Sequence, residues 1–255
     1  MAFVFDKKRP YLTAMIQEDT LEGALNAIVD SHYDGADAFG IQLEDLRPEY
    51  RNLNDLKKIF DACMGKPIYI TSYRNGYSTG FTDEQCVQLL LLGVEAGADL
   101  CDVMADMYDP QPYELTEDPQ AVEKQKELID RIHDMGAQVL MSSHTHCYLE
   151  PDRVIYYAKA HKMRGADVAK IVNDCGSDQQ LRAIVDTTFR LNEELEGLPY
   201  LYLCGGSWGR VFRQIGPQLG VCMYLCAQRH KPGYSRMQPT LRSMKQVRDN
   251  MIFLP

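Results

Sequence analysis

Short apolar runs alternate along the chain with longer stretches in which apolar residues recur every three or four positions. The short runs are rich in β-branched and aromatic residues, which is typical of buried parallel strands. The longer stretches begin near Thr, Ser, Asp or Pro and often end at Gly, which is typical of capped helices. The predicted strands span residues 10–17, 36–43, 67–74, 98–105, 138–145, 168–172, 199–204 and 221–227. The predicted helices span residues 20–29, 53–64, 82–97, 119–135, 151–164, 177–195 and 239–251, and a further helix opens at residues 205–207.

These elements make eight strand–helix pairs with no linker and no break in composition between them. Regular alternation of this kind predicts parallel strands covered by helices. A length of 255 residues is ordinary for one closed barrel of eight such pairs. The alternative is an open doubly wound sheet, but no G-x-G-x-x-G motif follows the first strand. We therefore predict an α/β fold, a single (β/α)8 TIM barrel over residues 1–255.

Charge and composition exclude several classes of function. A formal net charge of -9 and a pI near 5.2 argue against binding to nucleic acid or to an anionic membrane. The sequence has no apolar run long enough to span a bilayer, and its start lacks the order of a signal peptide. The eight cysteines are scattered without a C-x-x-C pair. We therefore expect a cytoplasmic protein with reduced thiols, no metal ion and no cofactor.

One lysine stands in the middle of an apolar strand, Val168-Ala169-Lys170-Ile171-Val172. Burial on such a strand disfavours an ammonium group and favours the neutral amine that a Schiff-base lysine requires. The alternative is an edge-strand lysine whose charged end reaches solvent. The preceding strand ends in His144, which favours a reactive site over that alternative.

In a TIM barrel the functional side chains gather where strands end and the following loops begin. Several cations and histidines occupy such places here. They are Arg74, His144, His146, Lys170, Arg213 and the segment from Arg229 to Tyr234. A cationic mouth on an acidic protein favours a small anionic substrate, a carboxylate or a phosphate.

Three further features have competing interpretations. His144, His146 and Cys147 are poorly spaced for a metal site, and no acidic ligand adjoins them. The Gly205-Gly206-Ser207 turn is either a phosphate-binding turn or a tight turn that needs glycine. The loop of residues 106–117 is unusually long, which is common for active-site lids.

Two motifs resemble those of type I 3-dehydroquinate dehydratases, the Schiff-base class of enzyme in the shikimate pathway. They are Met141-Ser142-Ser143-His144 and Ala166-Asp167-Val168-Ala169-Lys170-Ile171, and the 26-residue spacing of histidine and lysine is also similar. The resemblance implies that Lys170 forms an imine with a substrate ketone while His144 moves protons. It also implies that Arg213 anchors a substrate carboxylate and that the protein is a homodimer.

The same resemblance shows where this chain departs from the family. The family's second strand usually carries Glu-x-Arg-x-Asp, whereas this chain has Gly40-Ile41-Gln42-Leu43-Glu44. Ser78 stands where the family usually has a glutamate, four residues past the arginine of strand three. The last loop contains Tyr234 where the family usually has glutamine. Besides Arg213, the candidate substrate-binding residues are Arg74, Gln42, Glu44, Ser78 and Tyr234.

The resemblance therefore implies a lyase that eliminates water from 3-dehydroquinate or a related hydroxy-keto acid. The imine of Lys170 would acidify the adjacent carbon, and His144 would take its proton and protonate the leaving hydroxyl. Two alternatives remain open. One is a class I aldolase-type imine enzyme acting on a small anion, and the other is a non-catalytic barrel that binds a small acid.

Overall fold

The computed structural model describes residues 3–6, 9–231 and 236–251, and within them strands and helices alternate regularly. The strands are β1 (Tyr11–Ile16), β2 (Ala38–Gln42), β3 (Ile68–Thr71), β4 (Leu100–Met104), β5 (Gln138–His144), β6 (Val168–Asp174), β7 (Tyr200–Gly205) and β8 (Met223–Ala227). The helices are α1 (Leu21–Tyr33), α2 (Leu53–Asp61), α3 (Asp83–Ala96), α4 (Pro119–Asp134), α5 (Pro151–Met163), α6 (Asp178–Glu194), α7 (Gly206–Ile215) and α8 (Leu241–Asp249).

All strand pairs are parallel, and the sheet runs in the order β7-β6-β5-β4-β3-β2-β1-β8. Its two edge strands approach each other where the Cys222 N–H donates to the Tyr200 carbonyl at 2.9 Å. The sheet therefore curls into a nearly closed barrel with the helices outside. The predicted TIM barrel is confirmed.

Local signals explain why the helices begin and end where they do. At the start of α3, the Thr82 hydroxyl accepts the Gln85 N–H and the Gln85 side chain accepts the Thr82 N–H, which makes a capping box. Gly97 ends that helix with a φ of 114°, a conformation that glycine adopts without steric cost. The Asp118 carboxylate caps α4, and Pro119 occupies its first turn.

The carboxyl ends of two strands differ from the prediction by more than one residue. β3 stops at Thr71 instead of residue 74, since its pairing with β4 involves only Tyr69 and Ile70. β6 continues to Asp174 because Asn173 and Asp174 still pair with Cys204 and Gly205 of β7. The polar side chains of Asn173 and Asp174 end the apolar run that predicts the strand, although the backbone hydrogen bonds continue.

The strand interiors are almost fully buried, as expected for strands enclosed by helices. Side chains alternate along each strand, so every second residue points into the barrel. Near the carboxyl ends of the strands these inward residues are both polar and apolar, and they form the wall of a cavity. Within the described part of the chain, no helix has the length and apolar character needed to cross a membrane.

Candidate active site

A cavity of about 410 Å³ opens at the carboxyl ends of the strands. That volume lies in the usual range for small-molecule sites. Its polar wall includes Gln17, Gln42, Tyr73, Arg74, Glu114, His144, His146, Lys170, Arg213 and Gln238. Apolar patches come from Met15, Met104, Val172, Leu203 and Leu225. The cavity therefore brings together five of the predicted cations and histidines, Arg74, His144, His146, Lys170 and Arg213. Arg229, His230 and Lys231 line a separate pocket.

Lys170 is only 3% exposed and reaches the cavity from β6. Its Nζ atom lies 2.9 Å from Asp102 Oδ2, 2.5 Å from the Tyr73 hydroxyl and 3.2 Å from the Tyr69 hydroxyl. Lys170 is therefore buried as expected, but the buried carboxylate of Asp102 lies beside it. Burial favours the neutral amine, whereas Asp102 favours the ammonium ion.

Asp102 lies on β4 and is almost completely buried. Burial alone would raise the pKa of its carboxyl group. The positive charges of Lys170 and His144, together with hydrogen bonds from the Ser142 and Tyr69 hydroxyls, outweigh that effect and hold the pKa below its ordinary value. Asp102 is consequently an anion placed directly against the lysine nitrogen.

Two tyrosines complete the surroundings of this amine. The Tyr73 hydroxyl is 2.5 Å from Asp102 Oδ2, and the Tyr69 hydroxyl also donates to that oxygen. Burial and the charge of Asp102 raise the pKa of both phenols well above the ordinary value, so both remain protonated donors. Both hydroxyls also accept hydrogen bonds from the Lys170 nitrogen, so three oxygen atoms surround it.

His144 lies at the end of β5, next to β6 in the sheet. Its Nδ1 atom is 2.8 Å from Glu114 Oε2, and the same oxygen accepts the His144 backbone N–H at 2.7 Å. The imidazole packs edge-on against Tyr73, with ring centres 5.0 Å apart. Since the Tyr73 hydroxyl also binds Lys170, one tyrosine connects the two predicted catalytic residues.

Glu114 belongs to the long loop between β4 and α4, which is fastened to the barrel at several points. Arg74 donates to Asp83 at 2.6 Å and to Asp106 at 2.9 Å. Arg164 donates to the Thr116 carbonyl at 2.5 Å. The loop is thus held over the cavity, and of its residues 106–117 only Glu114 lines the cavity wall.

Arg213 comes from α7 and lines the cavity opposite these groups. Its Nε donates to the Cys204 carbonyl at 2.8 Å. Among the described residues, no carboxylate pairs with its guanidinium group. Burial lowers its pKa, but an arginine still carries its charge at neutral pH. By contrast, the Arg74 guanidinium is already engaged by two aspartates, although it also lines the cavity.

The sequence around this site matches a known family over nearly the whole chain. The family model for type I 3-dehydroquinase matches residues 13–252. The chain belongs to the type I 3-dehydroquinase family. Membership of this family implies a hydro-lyase. A search of curated proteins found no match.

Solved structures agree with the family in fold. The 3-dehydroquinate dehydratase from Geobacillus kaustophilus is similar at 14% identity, with a TM-score of 0.80 over 94% of this chain and 90% of that one. The type I enzyme from Clostridium difficile, crystallised with covalently modified comenic acid, has 15% identity and a TM-score of 0.80 over 94% and 92%. The enzyme from Enterococcus faecalis has 17% identity and a TM-score of 0.75 over 98% and 100%.

As a member of the type I 3-dehydroquinase family, this chain is unusual at β2. A side chain at Gly40 would collide with the Met15 sulfur atom and come within 3.1 Å of the Tyr69 ring. Met15 therefore occupies the space beside Gly40. Gln42 lines the cavity, and its amide oxygen accepts from Gln17 at 2.7 Å. Amides and a thioether thus occupy this wall.

Glu44 lies behind that wall. It is fully buried, accepts hydrogen bonds from the Thr71 hydroxyl at 2.9 Å, and accepts the Gln42 amide at 3.0 Å. Burial raises its pKa to about 7. Glu44 therefore meets the cavity through Gln42 and Thr71, which both line it.

Two other predicted binding residues are not in the described cavity wall. Ser78 is buried, and its hydroxyl accepts Arg51 at 3.1 Å. The structure therefore places Ser78 against Arg51 instead of beside His144. Tyr234 lies outside the described residues.

The sequence analysis missed Asp102, Tyr69, Tyr73 and Glu114. Asp102 could be found from the sequence, because it is the one charged residue in the apolar run of β4. Lys170 stands out in the same way in the apolar run of residues 168–172. Glu114 could not be found from the sequence, because its approach to His144 depends on the path of a long loop.

The remaining motifs have structural explanations. A side chain at Gly206 would approach the Cys175 carbonyl to 2.7 Å, and that carbonyl accepts the Trp208 N–H at 3.0 Å. The glycine turn is therefore tightly packed. In the described ranges, no group of three or more His, Cys, Asp or Glu side chains is arranged to hold a metal ion.

Proposed function

We propose that this protein is a Schiff-base hydro-lyase that removes water from 3-dehydroquinate or a related cyclic hydroxy-keto acid. The observation that carries the proposal is the buried Lys170 amine, which shares one cavity with His144 and Arg213. Such a cavity offers a nucleophile, a proton carrier and a binding group for an anion. Family membership supports the same reaction class.

In the proposed first step, the neutral Lys170 amine attacks the substrate ketone. The carbinolamine takes up a proton from water on its hydroxyl group, which leaves as water, and a protonated imine remains. Asp102, 2.9 Å from the nitrogen, would stabilise the positive charge that this step creates. The Tyr73 hydroxyl, which donates to Asp102 and accepts the Lys170 nitrogen, would accept the N–H of the protonated imine.

The imine draws electrons from the adjacent carbon and makes its hydrogen acidic. His144 would take that proton, and the hydroxyl one carbon further on would leave with a proton returned by the imidazole. Water then hydrolyses the conjugated imine, which releases the unsaturated ketone and regenerates the Lys170 amine. Overall, one hydroxy ketone gives one enone and one water.

One arginine and several glutamine side chains would bind the substrate. Arg213 would bind the carboxylate with its two free nitrogens, as planar guanidinium groups commonly do. Gln42 and Gln17 would bind hydroxyl groups. Gln238 lines the cavity, and its buried Oε1 has no hydrogen-bond partner among the described residues, so it would accept a substrate hydroxyl.

The proposal is tested by incubating the protein with 3-dehydroquinate and following the ultraviolet absorbance of a conjugated enone. Wild-type protein should form the enone, and both Lys170→Ala and His144→Ala should not. Full activity of Lys170→Ala would refute the imine mechanism. If wild-type protein gives no enone, a panel of other cyclic hydroxy-keto acids is assayed in the same way. The absence of enone with every one would refute the proposed function.

A further inference from the structure

We infer that Glu114 is the positioning residue for His144, and that it acts from the β4–α4 loop. This inference rests on the proposed function of His144 as proton carrier. The family usually has a glutamate four residues past the arginine of strand three, but Ser78 stands there and binds Arg51. A carboxylate from a different loop therefore meets the histidine in this chain.

The contact is specific in its atoms. Glu114 Oε2 accepts the His144 backbone N–H at 2.7 Å and binds Nδ1 at 2.8 Å. A carboxylate can only accept, so Nδ1 must carry the hydrogen. In the neutral imidazole the lone pair then lies on Nε2. Among the described residues nothing bonds to Nε2, which leaves it available to a ligand in the cavity.

Glu114 is ionised in this arrangement. Burial would raise the pKa of its carboxyl group, but the hydrogen bonds and the charge of His144 hold it below the ordinary value. The anion stabilises the imidazolium that forms when His144 takes a proton. Glu114 thus fixes both the orientation of the ring and its tautomer.

The loop is built to present this one side chain. Glu114 has a φ of 46°, in the left-handed region that glutamate rarely adopts. Its carbonyl accepts the Ser143 hydroxyl at 2.6 Å, one residue before His144. The Thr116 N–H donates to the Ala105 carbonyl at 3.2 Å. A strained residue held by several bonds at a cavity wall is typical of a functional position.

The test compares Glu114→Ala and Glu114→Gln with Glu117→Gln as the matched control. Glu117 is an exposed residue of the same loop that accepts Tyr156 at 2.8 Å on the outer surface. In Glu114→Gln the backbone N–H of His144 should hold the new amide oxygen in place, so this variant keeps an acceptor without charge. We expect Glu114→Ala to lose on the order of 10²-fold in kcat, Glu114→Gln to lose less, and the control to remain active.

Borohydride trapping of substrate on Lys170 separates positioning from imine formation. Both Glu114 variants should still form the adduct, while the exchange of the substrate proton with deuterated solvent should slow in parallel with kcat. A general structural defect would instead reduce adduct and exchange together. Equal exchange rates in Glu114→Ala and wild-type protein would overturn the inference.

A readout independent of turnover is the tautomer of His144. Nitrogen-15 NMR of the imidazole, assigned by its absence in His144→Ala, should show the hydrogen on Nδ1 in wild-type protein and a shift toward the Nε2–H form in Glu114→Ala. If the tautomer is the same in both proteins, Glu114 does not position His144. Because this measurement needs no substrate, it stands even if the proposed reaction fails.

Discussion

The buried Glu44 allows a quantitative prediction of how the free energy of unfolding depends on pH. Its carboxyl group is completely buried behind the cavity wall and binds Thr71 and Gln42. Burial raises its pKa from 4.5 to about 7, although its hydrogen bonds oppose the rise. Replacing it as Glu44→Gln keeps the shape and one acceptor oxygen but removes the ionisation.

The sign of the effect follows from linkage between protonation and folding. A carboxyl group whose pKa is raised by folding contributes its stability below pH 4.5, and that contribution is lost as the pH rises through about 7. Each pKa unit corresponds to about 1.4 kcal/mol, so Glu44 should cost wild-type protein about 3 kcal/mol between the two limits. Glu44→Gln lacks this loss.

Urea unfolding near pH 5 and near pH 8 measures the effect. From pH 5 to pH 8, the free energy of unfolding of Glu44→Gln relative to wild-type protein should rise by about 2.5 kcal/mol. The exposed Glu117→Gln should show the same difference at both values. If the Glu44→Gln difference does not change with pH, the carboxyl group is not desolvated as described.

Three further variants test the cavity. Asp102→Asn should lower the free energy of unfolding by about 3–5 kcal/mol in urea, because it leaves the buried Lys170 charge without its anion. Arg213→Met should raise KM on the order of 10²-fold with a smaller change in kcat, because it removes charged hydrogen bonds to a substrate carboxylate. Arg74→Met should instead lower kcat in the same steady-state assay, because the bonds to Asp83 and Asp106 anchor the loop that carries Glu114.

Each of these variants has a contrary outcome. Unchanged stability of Asp102→Asn would mean that the contact between Asp102 and Lys170 does not stabilise the fold. A normal KM for Arg213→Met would place carboxylate binding elsewhere. A raised KM with normal kcat for Arg74→Met would show that Arg74 binds substrate despite its two aspartate partners.

The barrel and the meeting of Lys170 with His144 were predictable from sequence. Both follow from strand periodicity and from the rule that strand ends of a parallel barrel share one face. The surroundings of these residues were less predictable. Asp102 and Tyr73 reach the Lys170 amine across the barrel. Such contacts depend on how the strands are staggered relative to one another, and no pattern in the sequence shows that stagger.

Loop conformation set the main limit on prediction. Ser78 follows β3 at the position where the family usually has a glutamate, yet the chain turns it toward Arg51. Glu114 reaches His144 only because its loop adopts a left-handed φ and is fastened at both ends. No hydrophobic or polar periodicity encodes that path.

The central claim is that the Lys170 amine forms an imine, and intact-protein mass spectrometry with peptide mapping tests it most directly. After incubation with 3-dehydroquinate and reduction by borohydride, we expect one mass increment derived from the substrate or the product. It should be located on the peptide that contains Lys170. An unmodified Lys170 in protein that nevertheless converts the substrate would contradict it.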